Sequence, residues 1–322
     1  MAFYGFFNKA SEFWGGTENT AVTAAYDSSY VPNSVEYATN VAGGFGWGTA
    51  LTDVWIHMGF YVEGTGFQGG TSTDGEWFRV IDTQGRTIAY ADLLNGTLTW
   101  GVSDNGSTFT AVATLTLPSN NTRTEIDVRV QVNSGGNNIA SIYYDGILIS
   151  TQTRAWASAT GIQHVALTNQ DTNAVLHYSE VMVADEDTRG LRMSMMDPDA
   201  AGTVEDWDGA YTDWQTRGDG LVVSTPTAAE RHHSNLAAYA GPASPTSVRG
   251  VFVQTHAKAG ATGPTQIDGS LRISTTNYDA SDAKVPVDGG PTVFEFTNDP
   301  ATAIAWDTAD FAALQAGLLS VA

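Results

Sequence analysis

The stretch Glu125-Ile126-Asp127 is the nearest this sequence comes to paired catalytic carboxyls. Cleaving a glycosidic bond with retention takes two carboxyls about 5–5.5 Å apart, one to attack and one to protonate. Glu125 and Asp127 would share one face of a strand, but the next position needed, 130, holds Val130. The set is incomplete, and the run reads as the solvent face of a strand. Six histidines (His57, His164, His177, His232, His233 and His256) show no HExxH-like spacing. His232 and His233 are adjacent and would point to opposite sides of an extended chain. Ser194 and Ser234 stand in no Gly-x-Ser-x-Gly setting. Cysteine is absent, which removes thiol nucleophiles and cysteine zinc sites. No residue is assigned a catalytic role.

Three other groups could bind rather than react. The glycine-rich run Gly43–Gly48 lacks the lysine and helix of a phosphate cradle, but Phe45 and Trp47 would suit a sugar-stacking loop. Asp197, Asp199, Glu205, Asp206 and Asp208 crowd one short stretch without EF-hand spacing; calcium, which takes six to eight oxygens, is the cation they would hold. No other cofactor is expected. Phe3, Tyr4, Phe6, Phe7, Phe13 and Trp14 precede any clear strand. In a loose terminus they would form an exposed apolar patch, so they are the expected assembly contact, in a homo-oligomer or on another protein. The alternative is that they cover their own domain as an edge strand.

The balance of 14 basic and 35 acidic residues, a net charge of −21, repels phosphate backbones and argues against nucleic-acid binding. Solubility in a salty medium is its simplest use. The first residues carry no basic n-region and no apolar core, so no signal peptide is expected. No run approaches the roughly 18 apolar residues of a membrane span. A soluble protein made in the cytoplasm is the expectation.

The elements that must position these residues are strands. In Glu125–Val132, Ile126, Val128, Val130 and Val132 alternate with Glu125, Asp127, Arg129 and Gln131, which predicts a strand with one buried face. Val54–Val62, Glu76–Leu93, Leu98–Leu117, Glu125–Thr151, Ile162–Asn169 and Leu176–Asp185 are strand-like, with turns near Gly85, Gly106 and Gly146. About ten strands in residues 1–185 predict a β-sandwich. Alternation stops near Asp185. Residues 186–202 read as a linker, and 203–322 as a smaller β-sandwich with strands in Gly220–Thr225, Ser247–Ala259, Gly269–Thr275 and Thr292–Thr297. Its tail, Asn298–Ala322, would fold back as a cap, with Pro300 stopping a strand, Trp306 covering a sheet edge and Asp307 or Thr308 capping a helical turn.

Gly75–Ala91, Ile126–Val132, Ile139–Thr151 and Ile162–Asn169, with Tyr143-Tyr144-Asp145-Gly146 leading into Ile147–Ile149, resemble the concanavalin-like, laminin-G-like jelly-roll superfamily, over about half the chain. The resemblance implies an all-β fold, a concanavalin-like antiparallel jelly-roll sandwich followed by a second, smaller β domain. Laminarinase-like glycosidases on that fold carry Glu-[Ile/Leu]-Asp-x-x-Glu, which position 130 breaks. The closing stretch resembles the ends of virion structural proteins of tailed bacteriophages, with Asn298, Pro300, Thr302 and Trp306 in place and Asp307 where Ser or Thr is usual. That resemblance implies a non-enzymatic virion component (fibre, tail-tip or head-decoration protein), made in the host cytoplasm and contacting other virion proteins and host-surface glycans. The alternatives are a lectin-like carbohydrate-binding module and, less favoured, a glycan-cleaving enzyme.

Overall fold

A computed structural model describes residues 1–64, 75–94, 97–109, 111–116, 118–169, 174–215, 222–242, 245, 247–286 and 290–322. The chain forms two compact units, Met1–Met193 and Ser194–Ala322. Both are all-β, and every strand pairing among the described residues is antiparallel.

The strands of unit 1 are β1 (Phe3–Phe7), β2 (Thr17–Asn19), β3 (Ser34–Tyr37), β4 (Val41–Leu51), β5 (Asp53–Gly64), β6 (Gly75–Asp82) and β7 (Thr87–Leu94). They continue as β8 (Thr97–Val102), β9 (Ala111–Leu115), β10 (Thr124–Ser134), β11 (Asn137–Tyr144), β12 (Ile147–Ala155), β13 (Ile162–Asn169) and β14 (Ala174–Ala184). One sheet runs β12-β11-β10-β5-β14-β3-β2, with β1 also paired to β14; the other runs β4-β13-β6-β7-β8-β9. The runs β10-β11-β12 and β6-β7-β8-β9 are consecutive, but β5 with β10 and β14, β3 with β14, and β13 with β4 and β6 are neighbours far apart in sequence, the mark of a jelly roll rather than a simple meander. Alternation decides what each sheet buries: Val54, Ile56, Met58 and Phe60 of β5 and Ile126, Val128 and Val130 of β10 face the other sheet and are at most 2% exposed.

The aromatics at the start of the chain belong to this core. Phe3, Phe7 and Phe13 are buried, and Phe7 packs 4.8 Å from Phe45 and 6.1 Å from Phe13, centroid to centroid. The expectation of a free assembly segment is therefore corrected: β1 gains its backbone partners from β14, Phe7 joins the sandwich core with Tyr4 packed against it, and Phe3 stacks on Phe6. Tyr4 and Phe6 are half-buried, and Trp14 alone of the six is exposed.

Unit 2 comprises β15 (Pro198–Glu205), β16 (Arg231–Leu236), β17 (Val251–Thr255), β18 (Gln266–Ile273), β19 (Thr276–Asp279), β20 (Thr292–Phe296) and β21 (Leu314–Val321). Its sheets are β15-β16-β21-β18-β19 and β17-β20, around a core containing Leu271, Phe294, Trp306, Phe311 and Leu318. Of the run expected at Gly220–Thr225, Gly220 and Leu221 lie outside the described residues; Ser224 bridges to Asp208. The end of the chain is more than a cap. Asp307 caps a short 3-10 helix, Thr308–Ala313, by accepting from the Ala309 N–H, but Leu314–Val321 then becomes the central strand. Trp306 is buried and its Nε1–H donates to the Phe296 carbonyl at 2.7 Å, while Asp299 accepts from the Ala301 N–H and the Thr302 hydroxyl. These contacts close the β20–β21 loop.

Candidate functional site

The outer face of the eight-stranded sheet carries the polar residues of unit 1. Alternation sends Trp55 and His57 outward from β5, Glu125, Asp127, Arg129 and Gln131 outward from β10, and Tyr143 outward from β11, where Asp127 pairs with Tyr143 and His57, and Arg129 with Trp55. Residues 185–193, leaving β14, lie over part of this face.

Where that segment crosses, the face is sealed. Asp127 is 1% exposed and accepts from the Thr188 hydroxyl at 2.8 Å, and His57 Nδ1 lies 2.9 Å from the same carboxylate oxygen. The reading of Asp127 as part of a solvent face is corrected: alternation predicts the side of the sheet, but not the segment laid across it. Further along, Glu180 is fully buried at a β-bulge with φ +52°, and its carboxylate is held by Arg123 (2.8 Å) and twice by Arg192 (2.7 Å). Burial works against the Arg192 charge, yet the bonds to Glu180 outweigh it and leave the guanidinium more basic than usual. Arg192 also lies 3.9 Å over the Tyr30 ring.

Beside Thr188 the segment and the face together line a shallow pocket of about 470 Å³: Trp55, Arg129 and Tyr143 from the strands and Asp185, Glu186, Asp187 and Arg189 from the segment. Trp55 is its floor, 5% exposed, stacked on Tyr143 with ring centroids 5.6 Å apart. The two guanidiniums sit over these rings, Arg129 5.4 Å from the Trp55 centroid and Arg189 4.6 Å from that of Tyr143. Each is fixed by a carboxylate. Asp53 accepts from Arg129 Nε at 3.1 Å and Nη2 at 2.7 Å and from Gln131 at 2.8 Å; Asp187 accepts from Arg189 Nε at 2.9 Å. The Asp53 bond raises the Arg129 pKa, and the Arg189 bond lowers that of Asp187. Trp55, nearly buried under both guanidiniums, supports the pocket from below; what the pocket presents is ion-paired donors and acceptors beside the half-buried Tyr143 ring, a combination that matches a hydroxyl-rich ring.

The Glu125–Asp127 run does not gain a third carboxyl at position 130. Val130 is buried in the core, and β10 pairs with β5 in unbroken register from Thr124 to Gln131, so no bulge turns position 130 outward. The His57–Asp127 pair has no access to solvent.

The other expected binding residues fall elsewhere. Phe45 and Trp47 are 0% and 1% exposed, so they cannot stack on a sugar. Their run is strand β4, and its glycines serve close approach: Trp14 bridges to Gly44, and a Cβ on Gly43 would meet the Trp14 carbonyl at 1.8 Å. The five acidic residues do not converge. Asp199 and Glu205 are exposed along β15, Asp208 takes part in a backbone bridge, and no group of three metal-ligating side chains occurs among the described residues. Trp55, Arg129 and Tyr143 fall in runs that read as strands and Arg189 in the run that reads as linker; strand pairing joins the first three and the segment leaving β14 adds the fourth.

No protein-family model matches the sequence, and no curated protein matches it. Among solved structures, unit-sized portions are similar to a cellulose-induced protein, Cip1 (15% identity, 53% of this chain and 87% of that one, TM-score 0.38). Others are an endo-β-1,4-glucuronan lyase from the fungus Trichoderma reesei (8% identity, 58% and 93%, TM-score 0.41) and the carbohydrate recognition domain of Emp46p (10%, 55% and 89%, 0.35). At these scores the likenesses establish neither a family nor an activity; the jelly roll itself is read from the strand order above.

Proposed function

We propose that the protein is a non-catalytic glycan-binding module whose ligand sits on the outer face of the eight-stranded sheet, in the pocket over Trp55. The observation that carries this reading is the stacked Trp55–Tyr143 pair flanked by two carboxylate-fixed arginines. The pairs leave no unbalanced positive charge, which favours neutral saccharides over anionic ones. A glycan array followed by titration calorimetry tests it. Tyr143→Ala and Arg129→Ala are expected to weaken binding about tenfold or more, near 1.4 kcal/mol each, with the fold intact. Absence of binding to any saccharide refutes the reading, and turnover of a polysaccharide refutes its non-catalytic part.

The finer form of the proposal places this module on a tailed-phage particle, as a fibre, tail-tip or head-decoration protein. Its support is the closing pattern of Asn298, Pro300, Thr302 and Trp306. Antibody labelling of purified particles is the test; particles that never carry the chain refute the virion role and leave the glycan site standing.

A further inference from the structure

The two ends of the eight-stranded sheet are finished differently. At one end β2 is three residues long and includes the exposed Glu18, the short, charged edge that resists pairing. At the other, β12 pairs only with β11 among the described residues and leaves an edge of backbone donors and acceptors, nine residues long and bent by a bulge at Ile149, with a regular stretch from Ser150 to Ala155. Its sequence, ILISTQTRA, has no proline, no lysine and no acidic residue. Ile147, Leu148 and Ile149 are 69%, 52% and 37% exposed, and the exposed Val112 lies on β9, the strand beside it. Water solvates such a row in a lone chain, and another extended strand can replace that water with a ladder of backbone bonds.

We propose that β12 is the seam of a symmetric dimer, in which a second copy of this chain pairs antiparallel with it and joins the two sheets. Charge selects the occupant. The chain carries −21, so two copies repel wherever carboxylates face each other; β12 is a strip without any. A two-fold axis at Thr151 sets Ser150 against Gln152 and Ile149 beside Thr153; the bulge at Ile149 ends the ladder there. Arg154 is already held 3.1 Å from Asp104, so no like charges meet. The strand thus complements itself in chemistry as well as in hydrogen bonding. One strand per copy buries a small interface, so the dissociation constant is expected in the micromolar range, on the order of 1–50 µM.

Sedimentation of the full chain from about 1 to 200 µM reads this directly. A concentration-dependent monomer–dimer equilibrium is expected. Ile149→Lys with Thr153→Lys sets lysine against lysine twice across the seam. It is expected to weaken the dimer at least tenfold, while the melting temperature extrapolated to the monomer changes little. Hydrogen exchange on the unmodified protein gives a second readout: amides of β12 are expected to slow at high concentration and to speed on dilution. A monomer at 200 µM, a trimer or open polymer, or a dimer unaffected by the lysines and unprotected at β12 overturns the proposal. None of these outcomes bears on the pocket over Trp55, whose residues the variant leaves untouched.

Discussion

Replacing Phe7 with alanine separates a core role for the first strand from a docking role. Phe7 is fully buried and touches Phe13 and Phe45, so truncation opens a cavity lined by aromatic carbon that the sandwich cannot easily refill. Deletions of this kind cost about 3–5 kcal/mol. In a domain the size of unit 1, Met1–Met193, each kcal/mol lowers the melting temperature by about 2–4 °C. The expected fall is therefore roughly 6–20 °C, read by near-ultraviolet circular dichroism or calorimetry on the full chain. Trp14→Ala, at a residue 48% exposed, is expected to cost far less, under about 1 kcal/mol. Because Phe7 and Phe45 share one cavity, their double replacement should cost less than the sum of the singles. If Phe7→Ala melts within about 2 °C of the parent, the burial argument fails.

Three further outcomes follow from the two units. Arg192→Ala leaves the buried Glu180 with Arg123 alone and should cost about 3 kcal/mol in unit 1, whereas Glu180→Gln, which removes the charge, should cost less; equal losses would contradict the buried-charge account. Burial, aided by Arg272 and Arg231, pushes the His233 pKa down to about 4, so the unfolded chain binds the extra proton between that value and the ordinary 6.5. Unit 2 should hold its full stability above about pH 6.5 and lose about 2–3 kcal/mol from this group by pH 4.5; a melting temperature that does not decline over that range, or a decline unchanged by His233→Asn, would refute it. Finally, residues 1–193 expressed alone should melt cooperatively, and a non-cooperative transition would show that unit 1 lacks a complete core.

Where side-chain alternation is strict, the sequence reveals both strand and face: Ile126, Val128, Val130 and Val132 are all buried as read. The Tyr144-Asp145-Gly146 hairpin was legible because Asp145 and Gly146 adopt φ of +47° and +78°, which such a pair favours. What covers a face was not legible. Asp127 looks the same in sequence whether water or Thr188 lies over it. The last strand was hidden for another reason: Leu314–Val321 is rich in helix formers, and its extended form is imposed by β16 and β18 on either side. The pocket depends on register between β5, β10 and β11 and on residues 187–189, so no local pattern announces it. The glycines of β4 misled because a run that admits a crossing backbone resembles one that admits a ligand.

The pairing of β1 and β5 with β14 also has a consequence in time. Ala2 donates to Asp185, 183 residues away, and β5 must hold one side of its backbone unpaired until β14 exists. At synthesis rates of roughly 5–20 residues per second, the stretch from Gly64 to Ala174 takes about 5–20 s to make. Throughout that interval the middle of the future sheet is a raw edge with the apolar sequence of β5 beside it. Folding of unit 1 is thus a late, nearly all-at-once closure governed by long-range contacts, and is expected to be slow. Contacts that form only at that closure brake unfolding as well, so the native sandwich should persist longer than its equilibrium stability alone would suggest.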